Sequence, residues 1–265
     1  MTDEQRASDD PQSFDVRYVP FLHAAEDRHF WFQARNAVIT AIVRQVEAEL
    51  PAKYRVLEIG CGTGNTLRVL ERVCARGRIL GIDRQLSGLV HARARVSCPL
   101  VQADVDRPPF PASVRFDLIG MFDVLEHLDD DRRVLEMLRA WIAPRGALIL
   151  TVPCGPELWS AFDVAAHHRK RYSPADLAQV LADAGFRVDY LSPFMRALYP
   201  LAWLRRRLLP ALRRQRTESD PVLTDLHIVP VANRLLAWLL SREAVNIGSR
   251  RRLRFGTSLI AVARP

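Results

Sequence analysis

One short segment constrains the fold more than any other, the run Val-Leu-Glu-Ile-Gly-Cys-Gly-Thr-Gly-Asn at positions 56–65. An apolar stretch typical of a buried strand leads into glycines at positions 60, 62 and 64, and a helical pattern begins directly afterwards. Glycine adopts backbone angles that other residues avoid and lets a ligand approach the main chain closely. The segment therefore predicts a strand, a ligand-holding turn and a helix, and its alternative is a plain tight connection.

Strand-like and helix-like segments alternate along the rest of the chain. The predicted strands lie at 55–59, 78–83, 99–104, 116–123, 146–153, 186–193 and 257–264. Helical patterns separate most of them, which favours a parallel sheet with helices on both faces. The sequence therefore predicts an α/β fold with a doubly wound, mainly parallel seven-stranded sheet.

The chain divides into five predicted segments. They are a disordered leader at 1–13, an N-terminal helical cap at 14–51, a core at 52–194, a basic helical insertion at 195–256 and the last core strand at 257–265. We infer the insertion because some sixty residues separate the last two strands, which is too long for a plain loop. Of the residues from 196 to 254, 13 are basic and 4 are acidic, so the net charge of +8 is concentrated there.

Acidic residues follow three successive predicted strands. Glu58 lies directly before the glycine turn, where it would repel a phosphate and attract a cationic ligand. Asp83 and Asp104 end the next two strands, and an aspartate there can accept hydrogen bonds from ribose hydroxyls. A dinucleotide site places its third glycine three residues after the second, where Asn65 stands. A nicotinamide-dependent oxidoreductase is therefore disfavoured.

These residues resemble the class I S-adenosylmethionine-dependent methyltransferases, within the bacterial type 11 and type 23 groups. The motifs that carry the resemblance are EIGCGTGNT (58–66), GIDRQ (81–85), QADVDRPPF (102–110), FDVLEHLDD (122–130) and LTVPCG (150–155). The resemblance implies a Rossmann-like methyltransferase fold with S-adenosylmethionine as cofactor. The cofactor-binding residues that it implies are Glu58, Gly60, Cys61, Gly62, Gly64, Asp83, Arg84, Asp104, Val105, Phe122 and Asp123.

Two flanking segments resemble the same groups. They are EDRHFWFQARN at 26–36, which caps the cofactor pocket in those relatives, and HHRKRYSPADLAQVLADAGF at 167–186. The candidate substrate-binding residues in them are His29, Trp31, Arg35, Arg169, Arg171 and Tyr172. The alternatives are that the aromatic residues pack the first helix onto the sheet, and that the basic loop is solvated.

Methyl transfer depends on alignment more than on covalent help, but a hydroxyl or amine acceptor benefits from a base that removes its proton. The candidate bases are His127, His167 and His168, and the alternative for His127 is a surface or capping histidine. Asp163 and His167 have a spacing that could suit a metal, but the sequence offers no evident third ligand. We therefore expect no metal site.

The predicted activity is methyl transfer to a small-molecule, glycan or lipid-linked acceptor, at oxygen. The alternatives are an RNA methyltransferase, which the positive charge favours, and a catalytically silent scaffold subunit that binds S-adenosylmethionine. No RNA-binding module is recognised, and apolar residues interrupt the basic ones, so nucleic acid is the weaker partner. The sequence sets no oligomeric state.

Residues 195–216 combine leucines and aromatic residues with arginines. Such a segment can lie on an anionic membrane surface, or it can form a lid whose apolar side packs on the sheet. No apolar run approaches the roughly 20 residues that span a bilayer. The four cysteines lie far apart and form no C-x-x-C pair, which indicates reduced thiols. We expect a cytoplasmic protein. If residues 195–216 lie on a membrane surface, we expect peripheral contact at the inner membrane face.

Overall fold

The computed structural model describes residues 15–107, 109–111, 113–208 and 220–265. The predicted leader at 1–13 lies outside these residues. The strands are β1 (Arg55–Ile59), β2 (Arg78–Asp83), β3 (Leu100–Gln102), β4 (Phe116–Phe122), β5 (Ile142–Pro153), β6 (Arg187–Phe194) and β7 (Ser258–Arg264). The helices are α1 (Val19–Glu26), α2 (Phe30–Glu47), α3 (Leu67–Val73), α4 (Leu86–Ala92), α5 (Asp131–Trp141), α6 (Ala161–Ala165), α7 (Pro174–Asp183), α8 (Leu198–Leu208), α9 (Pro221–Asp225), α10 (Pro230–Ser241) and α11 (Glu243–Gly248).

The strands form one seven-stranded sheet in the order β3-β2-β1-β4-β5-β7-β6. The pairs from β3 to β5 are parallel, whereas β7 runs antiparallel to both β5 and β6. The predicted mainly parallel sheet is confirmed. The strand order reverses between β1 and β4, and in open α/β sheets ligands bind beside the carboxyl ends of strands at such a switch point.

The central strands β1, β4, β5 and β7 bury both of their faces, because helices cover the sheet on each side. Val56 faces the apolar cluster that includes α2, and the next residue, Leu57, faces the cluster that includes α5. Both side chains are fully buried. The structure places β3 at 100–102, shorter than the predicted 99–104, and begins β5 at Ile142, four residues before the predicted start.

The helix α2 joins the N-terminal part of the chain to the C-terminal part. Its inward face carries the buried residues Val38, Ile39, Ile42, Val43 and Val46, at the spacing of an amphipathic helix. Helices α10 and α11 lie against the same helix. Helix α2 is therefore held between the sheet and helices α10 and α11. This packing positions the amino end of α2 above the ligand-binding edge of the sheet.

Helices α8 to α11 fall in the segment predicted as an insertion, and residues 209–219 of it lie outside the described part of the chain. The division into cap, core and insertion remains a prediction, which limited proteolysis would test. Within the described residues, no helix combines the length and the apolar character needed to cross a membrane.

Candidate active site

A cavity of about 630 Å³ opens at the carboxyl edge of β1, β2 and β4. We call the part lined by Glu58, Gly60, Gly62, Asp83 and Asp104 the cofactor end. We call the part lined by Glu126, His127, His168 and Arg171 the acceptor end. The two ends share one cavity, whose size suits a bound organic molecule with a second one beside it.

The glycine turn adopts backbone angles that explain its composition. Gly60, Gly62 and Gly64 have φ angles of +68°, +49° and +79°, which side chains rarely allow. A Cβ atom on Gly60 would overlap Val124, whereas a Cβ on Gly62 would meet no atom within 4 Å. Gly60 is therefore required by packing, and Gly62 leaves its main chain open to the cavity.

The carboxylate of Asp83 is bound to this turn. The N–H groups of Gly62 and Gln85 donate to its two oxygens, each at 2.7 Å. Burial raises the pKa of Asp83, and these backbone hydrogen bonds oppose the shift. The turn and the aspartate form one unit, with carboxylate lone pairs left to accept hydrogen bonds from a ligand.

Glu58 is a buried carboxyl group with one oxygen that makes no hydrogen bond. The residue is 2% exposed, and its Oε2 atom has no hydrogen-bond partner. Burial raises its pKa well above the ordinary value, and the positive charge of Arg35 opposes this. An orphaned carboxyl beside an open glycine turn fits S-adenosylmethionine, which carries positive charge and no phosphate. The residues present therefore fit that cofactor.

Arg35 connects α2 to the site. Its guanidinium donates to Asp123 Oδ2 at 2.7 Å and to Thr66 Oγ1 at 2.9 Å, and it lies 5.1 Å from the centre of the Trp31 ring. Asp123 has φ +55°, an unusual angle for a residue other than glycine. The protein thus uses Arg35 to neutralise Asp123, and a substrate contact of Arg35 stays a prediction.

Glu26 holds α1 above the glycine turn. Its carboxylate accepts hydrogen bonds from Arg95 and from Thr63, and Arg95 also donates to the carbonyl of His23 at 2.7 Å. The glutamate opens the segment at 26–36 that resembles a pocket cap, but its role was not predicted. Sequence reasoning missed it because Arg95 lies 69 residues further along the chain.

At the acceptor end, two histidine rings meet edge to face. The ring centroids of His127 and His168 are 4.9 Å apart. Burial, and then the charge of His168, lower the pKa of His127 to about 3. His127 is therefore neutral at neutral pH but a poor holder of a proton, which weakens its predicted role as a base.

Asp163 fixes the orientation of His168. This aspartate is fully buried, and its Oδ1 lies 3.0 Å from Nδ1 of His168 and accepts from Nε of Arg171 at 2.7 Å. Burial alone would raise its pKa, but these two partners hold it well below the ordinary value. Because Nδ1 is engaged, Nε2 is the ring nitrogen that His168 has available.

The structure brings most of the predicted site residues to the cavity wall. The predicted residues that line it are His29, Trp31, Arg35, Glu58, Gly60, Cys61, Gly62, Asp83, Arg84, Asp104, Val105, Phe122, Asp123, His127, His168 and Arg171. The described lining does not include Gly64, His167, Arg169 or Tyr172.

Gly64 packs against Ala92 of α4. Arg169 pairs with Asp129 at 2.9 Å, and the hydroxyl of buried Tyr172 donates to Asp131 at 2.7 Å. The Tyr172 hydroxyl therefore supports the loop behind the acceptor end, and burial raises its pKa.

Several lining residues were not predicted. Glu126 stands next to His127 in a quoted motif, yet nothing in the sequence shows that it is buried. Apolar residues of the C-terminal helices also reach the cavity, namely Leu198, Leu201, Val222 and Leu226. A tertiary contact across long stretches of chain brings each of these to the site, so no local signal could have found them.

Residues 30–191 match a protein family described as "Methyltransferase domain", of type 23. Among curated proteins, a probable S-adenosylmethionine-dependent methyltransferase of Mycolicibacterium smegmatis is 26% identical over 177 residues, covering 65% of this chain and 64% of that protein. A trans-aconitate 2-methyltransferase of Yersinia pestis is 27% identical over 174 residues, covering 57% and 66%. The chain thus spans less than two thirds of the length of these relatives.

Solved structures share the fold at low identity. A methyltransferase in complex with the Trm112 activator of Haloferax volcanii has a TM-score of 0.59 at 19% identity, with 94% of this chain and 96% of that chain covered. The plantazolicin methyltransferase BpumL has a TM-score of 0.58 at 11% identity, with 93% and 88% covered. Both confirm the predicted Rossmann-like methyltransferase fold. The chain belongs to the methyltransferase domain family, within the class I proteins that use S-adenosylmethionine as cofactor.

Proposed function

We propose that this protein transfers a methyl group from S-adenosylmethionine to an oxygen of a small-molecule, glycan or lipid-linked acceptor. The observation that carries the proposal is the open glycine turn at Gly62 beside the buried, unpartnered carboxyl of Glu58. Carboxylates suit a cationic ligand without phosphate. When bound, S-adenosylmethionine supplies an electrophilic methyl group on a sulfonium sulfur.

The residues around the cofactor end bind and orient rather than react. Asp83, Asp104 and Glu58 line the cavity, and we expect the two aspartates to accept hydrogen bonds from the nucleoside and Glu58 to balance positive charge. Trp31 and Phe32 of α2 line the cavity, where they can exclude water from the reaction. Holding the two reacting molecules in line in a dry site supplies most of the rate enhancement in a displacement of this kind.

Apolar side chains of the C-terminal helices support an acceptor with an apolar portion. Leu198, Leu201 and Leu226 extend the cavity wall beyond the acceptor end. Leu201 is also 59% exposed, so the lining continues onto the outer surface. This continuity favours a lipid-linked acceptor over an RNA strand, which would require cations and aromatic platforms there.

We further propose that the exposed face of α8 and α10 contacts an anionic membrane. Val231, Leu235 and Trp238 recur at helical spacing and are 83%, 61% and 56% exposed. Arg242 stacks over Trp238, with its guanidinium carbon 4.4 Å from the ring centre. An apolar stripe with adjacent arginines is typical of a helix that lies in a headgroup region. In the predicted membrane segment 195–216, side chains are described only through residue 204.

Vesicle flotation tests the membrane proposal. We expect the protein to float with vesicles of anionic phosphatidylglycerol at low salt and to float less with neutral vesicles. The double variant Leu235→Ser/Trp238→Ser should lose flotation, whereas Val90→Ser, an exposed apolar change on α4, should keep it. Equal flotation of the double variant and the wild-type protein would contradict the proposal.

Ligand-induced thermal stabilisation tests the cofactor, because a ligand that binds only the folded state raises the melting temperature. S-Adenosylhomocysteine should stabilise the protein and NAD should not. Transfer of labelled methyl groups into a lipid extract, with an RNA fraction as the comparison, then tests the acceptor. Labelling of RNA alone would favour the alternative RNA methyltransferase, and binding without any transfer would favour the silent scaffold.

A further inference from the structure

Three side chains at the acceptor end face one another across a few ångströms. The carboxylate of Glu126 and the ring nitrogens of His127 and His168 offer one atom each, and these atoms all lie within 4.8 Å of one another. All three residues line the cavity. Two imidazoles and one carboxylate at such distances form a donor set that transition metals prefer.

Two of these groups each have a buried atom that makes no hydrogen bond within the protein. Glu126 is 1% exposed, and its Oε2 has no hydrogen-bond partner, as is also true of Nδ1 of His127. Buried polar atoms are almost always paired in folded proteins, because an unpaired one costs free energy. The unpaired atoms of these two neighbouring residues indicate a ligand that the cavity is built to receive.

The third group is oriented as a metal-binding histidine is in other proteins. His168 is hydrogen-bonded through Nδ1 to the buried carboxylate of Asp163, which leaves Nε2 available. A carboxylate behind a histidine fixes the tautomer and the direction of the free nitrogen. The N–H of Arg169 donates to the carbonyl of Glu126 at 2.7 Å, so the two loops that carry the three side chains are tied together.

We propose that Glu126, His127 and His168 bind one divalent first-row transition-metal ion at the acceptor end. The positions left open on the ion face the cavity, where they can take the acceptor oxygen. This last part rests on the proposed methyl transfer. As the acceptor hydroxyl loses its proton to water, the new C–O bond forms, the methyl–sulfur bond breaks and its electron pair stays on sulfur. The proposal replaces the sequence-based expectation of no metal site, which rested on the lack of an evident third ligand beside Asp163 and His167.

Metal titration of the purified full chain after chelator treatment tests the site. We expect one Mn²⁺ to bind per chain, measured by electron paramagnetic resonance, and Zn²⁺ to compete for it. Mg²⁺ should compete weakly, because it prefers oxygen ligands. Glu126→Gln and His168→Asn should each weaken Mn²⁺ binding by roughly tenfold or more.

His91→Asn is the matched control. The His91 ring lies 4.5 Å from the ring of His23, so these two histidines resemble the pair of His127 and His168. Among the described residues, however, the His23–His91 pair is not part of a group of three possible metal ligands. The control should bind Mn²⁺ as the wild-type protein does. Absence of stoichiometric binding, or equal binding by wild type, Glu126→Gln and His168→Asn, would overturn the proposal.

Two further measurements keep the outcome decisive. If the variants do not fold, anomalous scattering from wild-type crystals soaked in Mn²⁺ should show a peak among the three side chains, and a map without that peak overturns the site. Calorimetry with S-adenosylhomocysteine on metal-free protein separates the two proposals. Intact cofactor binding without metal binding removes only the metal, whereas absent cofactor binding removes the proposed function whatever the metal does.

Discussion

The two ends of the cavity are built in different ways. The cofactor end is made largely by β1, the glycine turn and α3, together with the carboxylate of Asp83 at the end of β2, which the backbone of the turn binds. The acceptor end is made by side chains from loops some forty residues apart, which Asp163 and the backbone contact between Arg169 and Glu126 hold together. A backbone-built site serves any protein that binds the same cofactor. A side-chain-built site can change with the acceptor while the fold stays the same.

The largest expected effect lies at the backbone of the cofactor end. Gly62→Val places a branched side chain at φ +49° and into the cavity. We expect binding of S-adenosylhomocysteine to weaken by about 1,000-fold, which corresponds to roughly 4 kcal/mol, as measured by calorimetry.

The matched control is Gly185→Val, which changes another glycine with positive φ, at the carboxyl end of α7 and away from the cavity. It should lower the melting temperature and leave the affinity unchanged. If both variants bind equally well, the cofactor end is misplaced.

The contact that connects α2 to the site comes next. Arg35→Met leaves Asp123 without its 2.7 Å partner in a largely buried position. We expect the free energy of unfolding to fall by about 3 kcal/mol, because an uncompensated charge remains inside. Urea denaturation measures the loss. Arg132→Met, which breaks an exposed pair with Glu136, should leave the free energy of unfolding almost unchanged. Similar losses of stability in the two variants would show that burial of an ion pair does not determine how much its removal destabilises the protein.

A smaller effect should appear as proton release at Glu58. Burial raises the pKa of Glu58 in the folded protein. At a pH between its ordinary pKa and the raised one, Glu58 is therefore protonated in the folded protein and ionised in the unfolded chain. The contribution of Glu58 to the free energy of unfolding is therefore fully present below its ordinary pKa, and it is lost as the pH rises through the raised pKa. A cationic ligand favours the carboxylate, so binding should release a proton and strengthen as pH rises.

Calorimetry of S-adenosylmethionine binding in buffers of different ionisation enthalpy measures this release. Glu58→Gln keeps the size of the side chain and removes the titrating group. We expect it to lose the proton release and to bind about tenfold more weakly, near 1.4 kcal/mol. Identical proton release in the variant and the wild-type protein would assign the effect to another group.

The smallest effect is expected at the rim of the cofactor end. Arg84 pairs with Asp104 at 3.5 Å, with both side chains a third or more exposed to solvent. Exposed pairs contribute little, so Arg84→Ala should weaken cofactor binding only about twofold. A loss beyond roughly tenfold in the same calorimetric assay would show that Arg84 contacts the cofactor directly.

The sequence was sufficient for the cofactor end and insufficient for the acceptor end. Gly62 and Asp83 stand at strand ends that periodicity identifies, so their meeting at one edge follows from parallel pairing. Tyr172 and Arg169 were predicted as substrate-binding residues, and the structure turns both toward α5 or its preceding loop. Their chain neighbours His168 and Arg171 do line the cavity, and no local pattern separates these two pairs.

The sequence by itself determined the alternation of strands and helices, the open turn and the carboxylates around it. These follow from local backbone preferences and from a period that can be read along the chain. Only the tertiary structure decided that Glu126 is buried with one unpaired oxygen, that Asp163 orients His168, and that α10 covers α2 while exposing an apolar stripe. The physical reason is that burial and side-chain pairing depend on residues distant along the chain, whose approach no local pattern encodes.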